Sequence, residues 1–235
     1  MNVIFLQYLF DYLDGAVIDS LDYYCIIRKV YPNIPLVYIT PSSCPINILH
    51  SQIKQIIYER YLESFDFKIK TFSKVPLSEK AITIGLHSYQ LLSKLYPTKY
   101  LVIGQFDKEE LEKLTKISVC PNHYISDGSY QMKIPFNDYK KYVECKHSLY
   151  INTLDNKYDK KYLTNLAKHL GYKYREIIIK KRRHQFNLFS KFDTYLYLDD
   201  GKYVDVHPRL FHECYFHEKN IVYVSNRKKW SFLQV

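Results

Sequence analysis

Short apolar runs of strand length alternate with amphipathic stretches of helical length, and they do so twice along the chain. That alternation restricts the available folds more than any other feature of the sequence. Asn2–Leu9 reads as a strand, Ile18–Tyr31 as a helix with Leu21, Tyr24, Cys25 and Arg28 at helical spacing, and Pro35–Ile39 as a second strand. Ile46–Leu62 reads as a long helix with Ile46, Leu49, Ile53, Ile56 and Ile57 on one side. Ala81–Ile84 and Tyr100–Ile103 are further strands around a helix at His87–Leu95. Asp107–Leu114 reads as a short acidic helix, and Pro121–Tyr142 is irregular. The pattern then restarts. Ser148–Asn152, Tyr174–Ile179, Thr194–Leu198 and Asn220–Val224 read as strands. Between them lie helices at Asp159–Leu170 (with Gly171 in a C-cap place), Gln185–Ser190 and Pro208–Phe216. Strands alternating with helices predict parallel sheets with helices on both faces. Two such series around an irregular segment predict two Rossmann-like lobes, 1–145 and a compact 146–235.

In open parallel sheets, ligands sit beyond the carboxyl ends of the strands. The segments that follow strands therefore hold the candidate chemistry. The most informative is Thr194–Val224, TYLYLDDGKYVDVHPRLFHECYFHEKNIVYV, in which a buried strand feeds a polar loop, a helix and a second buried strand. Asp205, His207 and Arg209 stand at the helix start, with Glu213 one turn further in. A helix start offers N–H groups without intrahelical partners and a partial positive charge, which suits a phosphate. Arg209 adds a fork of donors. A carboxylate such as Glu213 accepts two hydrogen bonds from vicinal hydroxyls.

This segment resembles the donor-binding signature of retaining GT-B glycosyltransferases, in which an acid and a glutamate are separated by seven intervening residues across a loop and helix. Here Asp205 and Glu213 take those places, followed by a short turn and the strand Ile221–Val224. The first acid is Asp where the family usually has Glu, and Val206–Arg209 replaces the usual Gly-rich turn. The resemblance implies a GT-B fold with its donor side in the C-terminal lobe and its acceptor side in the N-terminal one. It implies that Glu213 holds the ribose of a nucleotide-sugar donor, a UDP-sugar by expectation, and that Asp205 lies near the transferred sugar. His207 and Arg209 would face the diphosphate. No metal and no further cofactor is required by this design.

Other basic residues fit the same picture. Lys181 and Arg182, within Lys180-Lys181-Arg182-Arg183-His184, follow a strand and would reach the diphosphate, as would Lys157 after the first strand of the second lobe; each also reads as part of a solvated basic face. After the first strand, Gly15 fits the glycine-containing loop of such enzymes. Asp14 (or Asp11) would serve as general base in an inverting enzyme, whereas a retaining one needs none. Asp19 or Ser20 reads as the cap of the helix that follows.

Charge narrows the partners. Lys and Arg outnumber Asp and Glu, 34 to 24, for a net charge of +10. That favours polyanions: nucleic acid, anionic membrane or phosphorylated ligands. Five scattered cysteines with no C-x-x-C suggest a reducing, cytoplasmic setting. The first apolar run lacks a basic flank and ends at Asp11, so it reads as a strand and not as a signal peptide, and no run reaches membrane-spanning length. His207, His212 and His217 recur every five residues, which rotates them around a helix and argues against a metal site. The basic and aromatic end, NRKKWSFLQV, is expected to dock on the first lobe through Trp230 and Phe232.

The expected activity is therefore transfer of a sugar from a nucleotide-sugar to an acceptor hydroxyl. Hydroxymethylated pyrimidine in DNA, as in the phage enzymes of this fold, is the favoured acceptor, and a lipid-linked or surface glycan is the other. A non-enzymatic basic nucleic-acid-binding protein is the competing class, and it has no use for an acid at Glu213.

Overall fold

The computed structural model describes residues 3–10, 13, 15–41, 43–72, 80–104, 124–126, 140–143, 148–152, 160–169, 176–180, 186–199 and 209–225. The chain divides into two compact units, Met1–Asp138 and Tyr139–Val235. Both are α/β with parallel sheets.

The first unit holds β1 (Val3–Tyr8), α1 (Gly15–Val30), β2 (Leu36–Thr40), α2 (Ile46–Arg60), β3 (Phe67–Thr71), β4 (Lys80–Ile84), α3 (Leu86–Leu95), β5 (Lys99–Gly104) and β6 (Tyr124–Ser126). All neighbouring strands are parallel, in the order β3-β2-β1-β4-β5-β6. This is the doubly wound, Rossmann-like order, which reverses direction between β1 and β4. β1 is apolar along its length because it lies mid-sheet and is covered on both faces. Its side chains alternate between those faces. Phe5 meets Tyr24 of α1 edge to face at 5.7 Å. In the same layer Tyr38 Oη and Ser20 Oγ of α1 are 2.8 Å apart. Ile4 and Leu6 turn the other way, into a cluster with Val37, Ile39, Ala81, Val102 and Leu92 of α3. At the far edge, Gly104 gives Tyr124 its room: a Cβ there would lie 2.1 Å from the Tyr124 hydroxyl.

α1 starts at Gly15, so Asp19 and Ser20 both lie inside the helix and neither is its cap. The Ser20 hydroxyl donates to Val17 O at 2.7 Å, the backward bond of a mid-helix serine. β3 and β6 break the expected pattern: β3 falls in a stretch with no strand signal, and β6 lies within the span expected to be irregular.

The second unit holds β7 (Ser148–Asn152), α4 (Lys160–His169), β8 (Glu176–Lys180), a 3-10 turn at Phe186–Ser190, β9 (Thr194–Asp199), α5 (Arg209–Phe216) and β10 (Asn220–Ser225). Its four parallel strands are ordered β10-β9-β7-β8, so the direction reverses between β7 and β9. The 3-10 turn replaces the expected short helix, and the segment it opens packs Phe189 and Phe192 into an aromatic core. Phe192 stacks on Tyr150 at 5.0 Å, and Phe189 stacks on His217 at 4.3 Å. Phe211 seats α5 against β9, edge-on to Tyr197 at 5.0 Å. Among the described residues no helix is long and apolar enough to cross a membrane.

Candidate functional site

The reversal of strand order in each sheet leaves a crevice at the carboxyl edge, where the connections diverge to opposite faces. In the second unit the residues singled out from sequence fall, in chain order, on the connections that follow its strands. Lys157 comes five residues after β7 ends at Asn152, Lys181 and Arg182 directly follow β8, and Asp205 and His207 fall between β9 and α5. β8, β7 and β9 are adjacent, so these three connections leave one edge of one sheet, with the reversal between β7 and β9. Lys157, Lys181, Arg182, Asp205 and His207 themselves lie outside the described residues, as do Asp14, the proposed helix at Asp107–Leu114, Gly171, Trp230 and Phe232.

Arg209 is the first residue of α5. Glu213 sits four positions on, about 6 Å down the helix from that start. It is fully buried. So are Cys214 and His217, and Leu210 is nearly so. Leu210, Glu213, Cys214 and His217 have the i, i+3, i+4, i+7 spacing of one helical stripe, and this stripe faces the unit's interior. A sugar hydroxyl would therefore reach Glu213 only by displacing protein atoms now packed on it. Below Glu213 the helix ends in a Schellman turn: Glu218 N–H donates to Tyr215 O at 3.1 Å and Lys219 N–H to Cys214 O at 2.8 Å. Glu218 holds φ at +55°, a place that ordinarily selects glycine. His217 Nδ1 accepts the Tyr142 N–H at 3.0 Å, which puts the proton of a neutral ring on Nε2. Lys141 pairs with Glu218 at 2.5 Å. Residues 141 and 142 are thus pinned to the C-terminal end of α5, away from its start at Arg209.

The first unit has a buried polar bridge at its carboxyl edge that sequence reasoning missed. Register pairing between β1 and β4 ends at Phe5 opposite Ile82. Beyond it the Gln7 side chain takes the place of a backbone partner. Its Nε2 donates to Ile84 O at 3.1 Å and its Oε1 accepts the Ile84 N–H at 3.0 Å. Thr83 Oγ1 also donates to Gln7 Oε1 at 3.2 Å. Ser88, in the first turn of α3, accepts the Tyr8 N–H at 2.9 Å. Gln7, Thr83 and Ser88 are all buried. Gly85 joins β4 to α3 at φ +80°. The signal was a glutamine inside an apolar strand, VIFLQY, because a buried amide needs partners for both its oxygen and its nitrogen. Gly15, by contrast, opens α1 with nothing within 4 Å of where a Cβ would be, so space does not demand a glycine there.

A half-open pocket lies elsewhere. A cavity of about 460 Å³ is lined by Cys25, Arg28, Lys29, Pro32, Tyr61, Glu63 and Phe65. It sits at the amino edge of the first sheet, beside the C-terminal ends of α1 and α2. Beneath it Asp22, Arg60 and Tyr61 form a buried network. Arg60 lies 3.3 Å from Asp22 Oδ2, and Tyr61 Oη donates to Asp22 Oδ1 at 2.5 Å. This network ties α1 to the end of α2 and is structural. Comparison with protein-family models, with curated proteins and with solved structures found no match to this chain.

Proposed function

We propose that the chain is a metal-independent glycosyltransferase of the GT-B kind, with a nucleotide-sugar donor bound at the carboxyl edge of the second unit and the acceptor met by the first. One observation carries this reading. The connections bearing Lys157, Lys181 and Arg182, and Asp205 and His207 all leave one edge of one parallel sheet, around its reversal point, and α5 opens there with Arg209. A nucleoside diphosphate needs such an edge: several cations and a helix start facing one anion.

The acceptor hydroxyl attacks the anomeric carbon as the bond from that carbon to the diphosphate oxygen breaks. The electron pair leaves on the diphosphate, where Arg209 and the basic connections stabilise it. The hydroxyl proton goes to Asp14 in an inverting reaction, or to the departing phosphate in a retaining one. Asp205 stands beside the sugar. Glu213, one turn inside α5, takes the ribose only if the ligand displaces its present packing; otherwise it is an internal carboxylate and Arg209 carries more of the binding. The excess of cations favours a polyanionic acceptor, and a hydroxymethylated pyrimidine in DNA meets that requirement.

The test is a thermal-shift screen with UDP-, GDP-, ADP- and CMP-sugars. A donor at ~100 times its dissociation constant adds about 2.7 kcal/mol. For units of this size that raises the melting temperature by about 5–15 °C. Arg209→Ala should abolish the shift. Glu213→Gln, which keeps the side chain's volume, separates a ribose ligand from an internal carboxylate. No shift with any nucleotide, from a folded sample, overturns the proposal.

A further inference from the structure

The half-open pocket at the amino edge of the first sheet is lined by two stretches of chain. One is 25–32, which ends α1 and turns toward β2, and the other is 61–65, which joins α2 to β3. Pro32, Phe65 and the Tyr61 ring give it an apolar side. The Arg28 guanidinium lies over the Phe65 ring, 5.1 Å from its centroid, and donates from Nη2 to Glu63 Oε2. Phe65 in turn packs against Tyr24 at 5.2 Å and Tyr61 at 5.5 Å, so the guanidinium rests on a fixed support. The volume, about 460 Å³, falls in the range of about 300–1,000 Å³ usual for small-ligand sites.

The two members of the ion pair stand differently toward water. The Arg28 side chain is 24% exposed and that of Glu63 76%. So exposed a carboxylate gains little from its pair, because water screens the attraction and holding the side chain in place costs entropy. A ligand carboxylate can take the same fork of donors with the geometry guanidinium favours. If it carries an apolar body, it also buries that body against Pro32, Tyr61 and Phe65, which Glu63 does not do. Lys29 gives the lining a second cation against its one acid, so the local charge favours an anion. Cations in the last turn of α1 complement the helix dipole whatever else they do. The dipole does not account for a ring beneath the guanidinium or for a cavity with an apolar side next to it.

We propose that this pocket binds a small carboxylate with an apolar body, the carboxylate taking Arg28 in place of Glu63 and the body lying against Pro32, Tyr61 and Phe65. The site goes beyond the glycosyltransferase reading and uses none of its residues. Tyr61 also donates to Asp22 in the buried network beneath, so a bound ligand steadies the tie between the ends of α1 and α2.

The test is calorimetric titration of the full chain with phenylpropionate and with octanoate, beside phenylpropanamide and acetate. Amide exchange is read on peptides covering 25–32 and 61–65. At least one of the two larger carboxylates should bind saturably and slow exchange in both peptides. The amide lacks the charge and acetate lacks the body, and each should bind roughly tenfold more weakly or worse. Arg28→Met keeps an apolar stem over Phe65 and should weaken carboxylate binding by about tenfold or more. Glu63→Gln removes the internal competitor and should tighten it, by up to about fivefold. That gain is not what a purely structural ion pair would give, and it decides the matter even where Arg28→Met fails to fold. The proposal is overturned by the lack of saturable binding with either larger carboxylate, by equal affinity for the amide, or by weaker binding in Glu63→Gln. The donor thermal shift is read separately, so failure here leaves the transferase reading standing, and failure there leaves this site standing.

Discussion

Removing Asp22 should unfold the first unit more readily than removing Asp22 and Arg60 together. Arg60 has no exposed surface and Asp22 almost none. The guanidinium Nη2 lies 3.4 and 3.3 Å from the two carboxylate oxygens, and Tyr61 Oη donates to one of them at 2.5 Å. In Asp22→Ala the buried cation loses its counter-charge and Tyr61 loses its acceptor, at a cost of about 3–5 kcal/mol. Asp22→Asn keeps an acceptor for Tyr61 and should cost less, about 2 kcal/mol. Replacing the whole pair with Asp22→Ala and Arg60→Met removes the uncompensated charge and fills part of its volume. That variant should recover most of the loss, because a buried ion pair and a well-packed apolar pair are often close in stability. Native-state hydrogen exchange on peptides from α1 and α2 reads the local free energy, whatever the second unit does. A single variant within about 1 kcal/mol of wild type, or a double variant no better than the single, would refute the account of a desolvated charge held by its partner.

Three further outcomes are expected. Tyr38, Tyr100, Tyr24 and Tyr96 have their hydroxyls held above the ordinary value near 10 chiefly by burial, so the unfolded chain loses these protons first. The tyrosines' contribution to the first unit's stability should be level below pH 10 and should fall above it by up to about 1.4 kcal/mol per pH unit per tyrosine, as a pH series of melting curves above neutrality would reveal; a flat profile from pH 10 to pH 11.5 counts against their burial. Glu218→Gly relieves a left-handed residue at the end of α5 and should stabilise the second unit by about 0.5–1 kcal/mol in urea titration, since the exposed pair with Lys141 contributes little. Gln7→Leu strands the buried N–H and C=O of Ile84, so it should cost about 1–3 kcal/mol and speed exchange of the Ile84 amide; unchanged exchange there would deny Gln7 its bridging role.

The central strands were legible because burial on both faces writes a mostly apolar run, as in VIFLQY and LVYIT. β3 was not, because Lys68 and Lys70 interrupt FKIKT, as an edge strand with one wet face permits. β6 spans three residues, too few for any periodicity to register. Ser20 looked like a cap because serine favours that place, yet its contact with Tyr38 outweighs the local preference. Along α5, counting only apolar residues hid the inward stripe, since Glu213 and His217 occupy two of its four positions. The strand–loop–helix–strand order from β9 through α5 to β10 was readable from the apolar runs and the helical spacing. The polar bridge at Gln7 was not, because its partners lie 77 residues away in sequence.

That separation sets an order of assembly. β1 finds β2 about thirty residues downstream, with Phe5 opposite Leu36, but must wait for β4, with Val3 opposite Lys80. While the chain is being made, β1, β2 and β3 can form a half-sheet whose β1 edge presents bare backbone groups and the Gln7 amide. Such an edge invites pairing with the wrong strand. The amide gives a preference for the right one, because it is satisfied fully only by a backbone N–H and C=O presented together, as Ile84 presents them. The Gln7 amide thus favours the correct partner in the pairing of greatest sequence separation in this sheet, and its loss should raise misfolding during refolding as well as lower the stability of the folded unit.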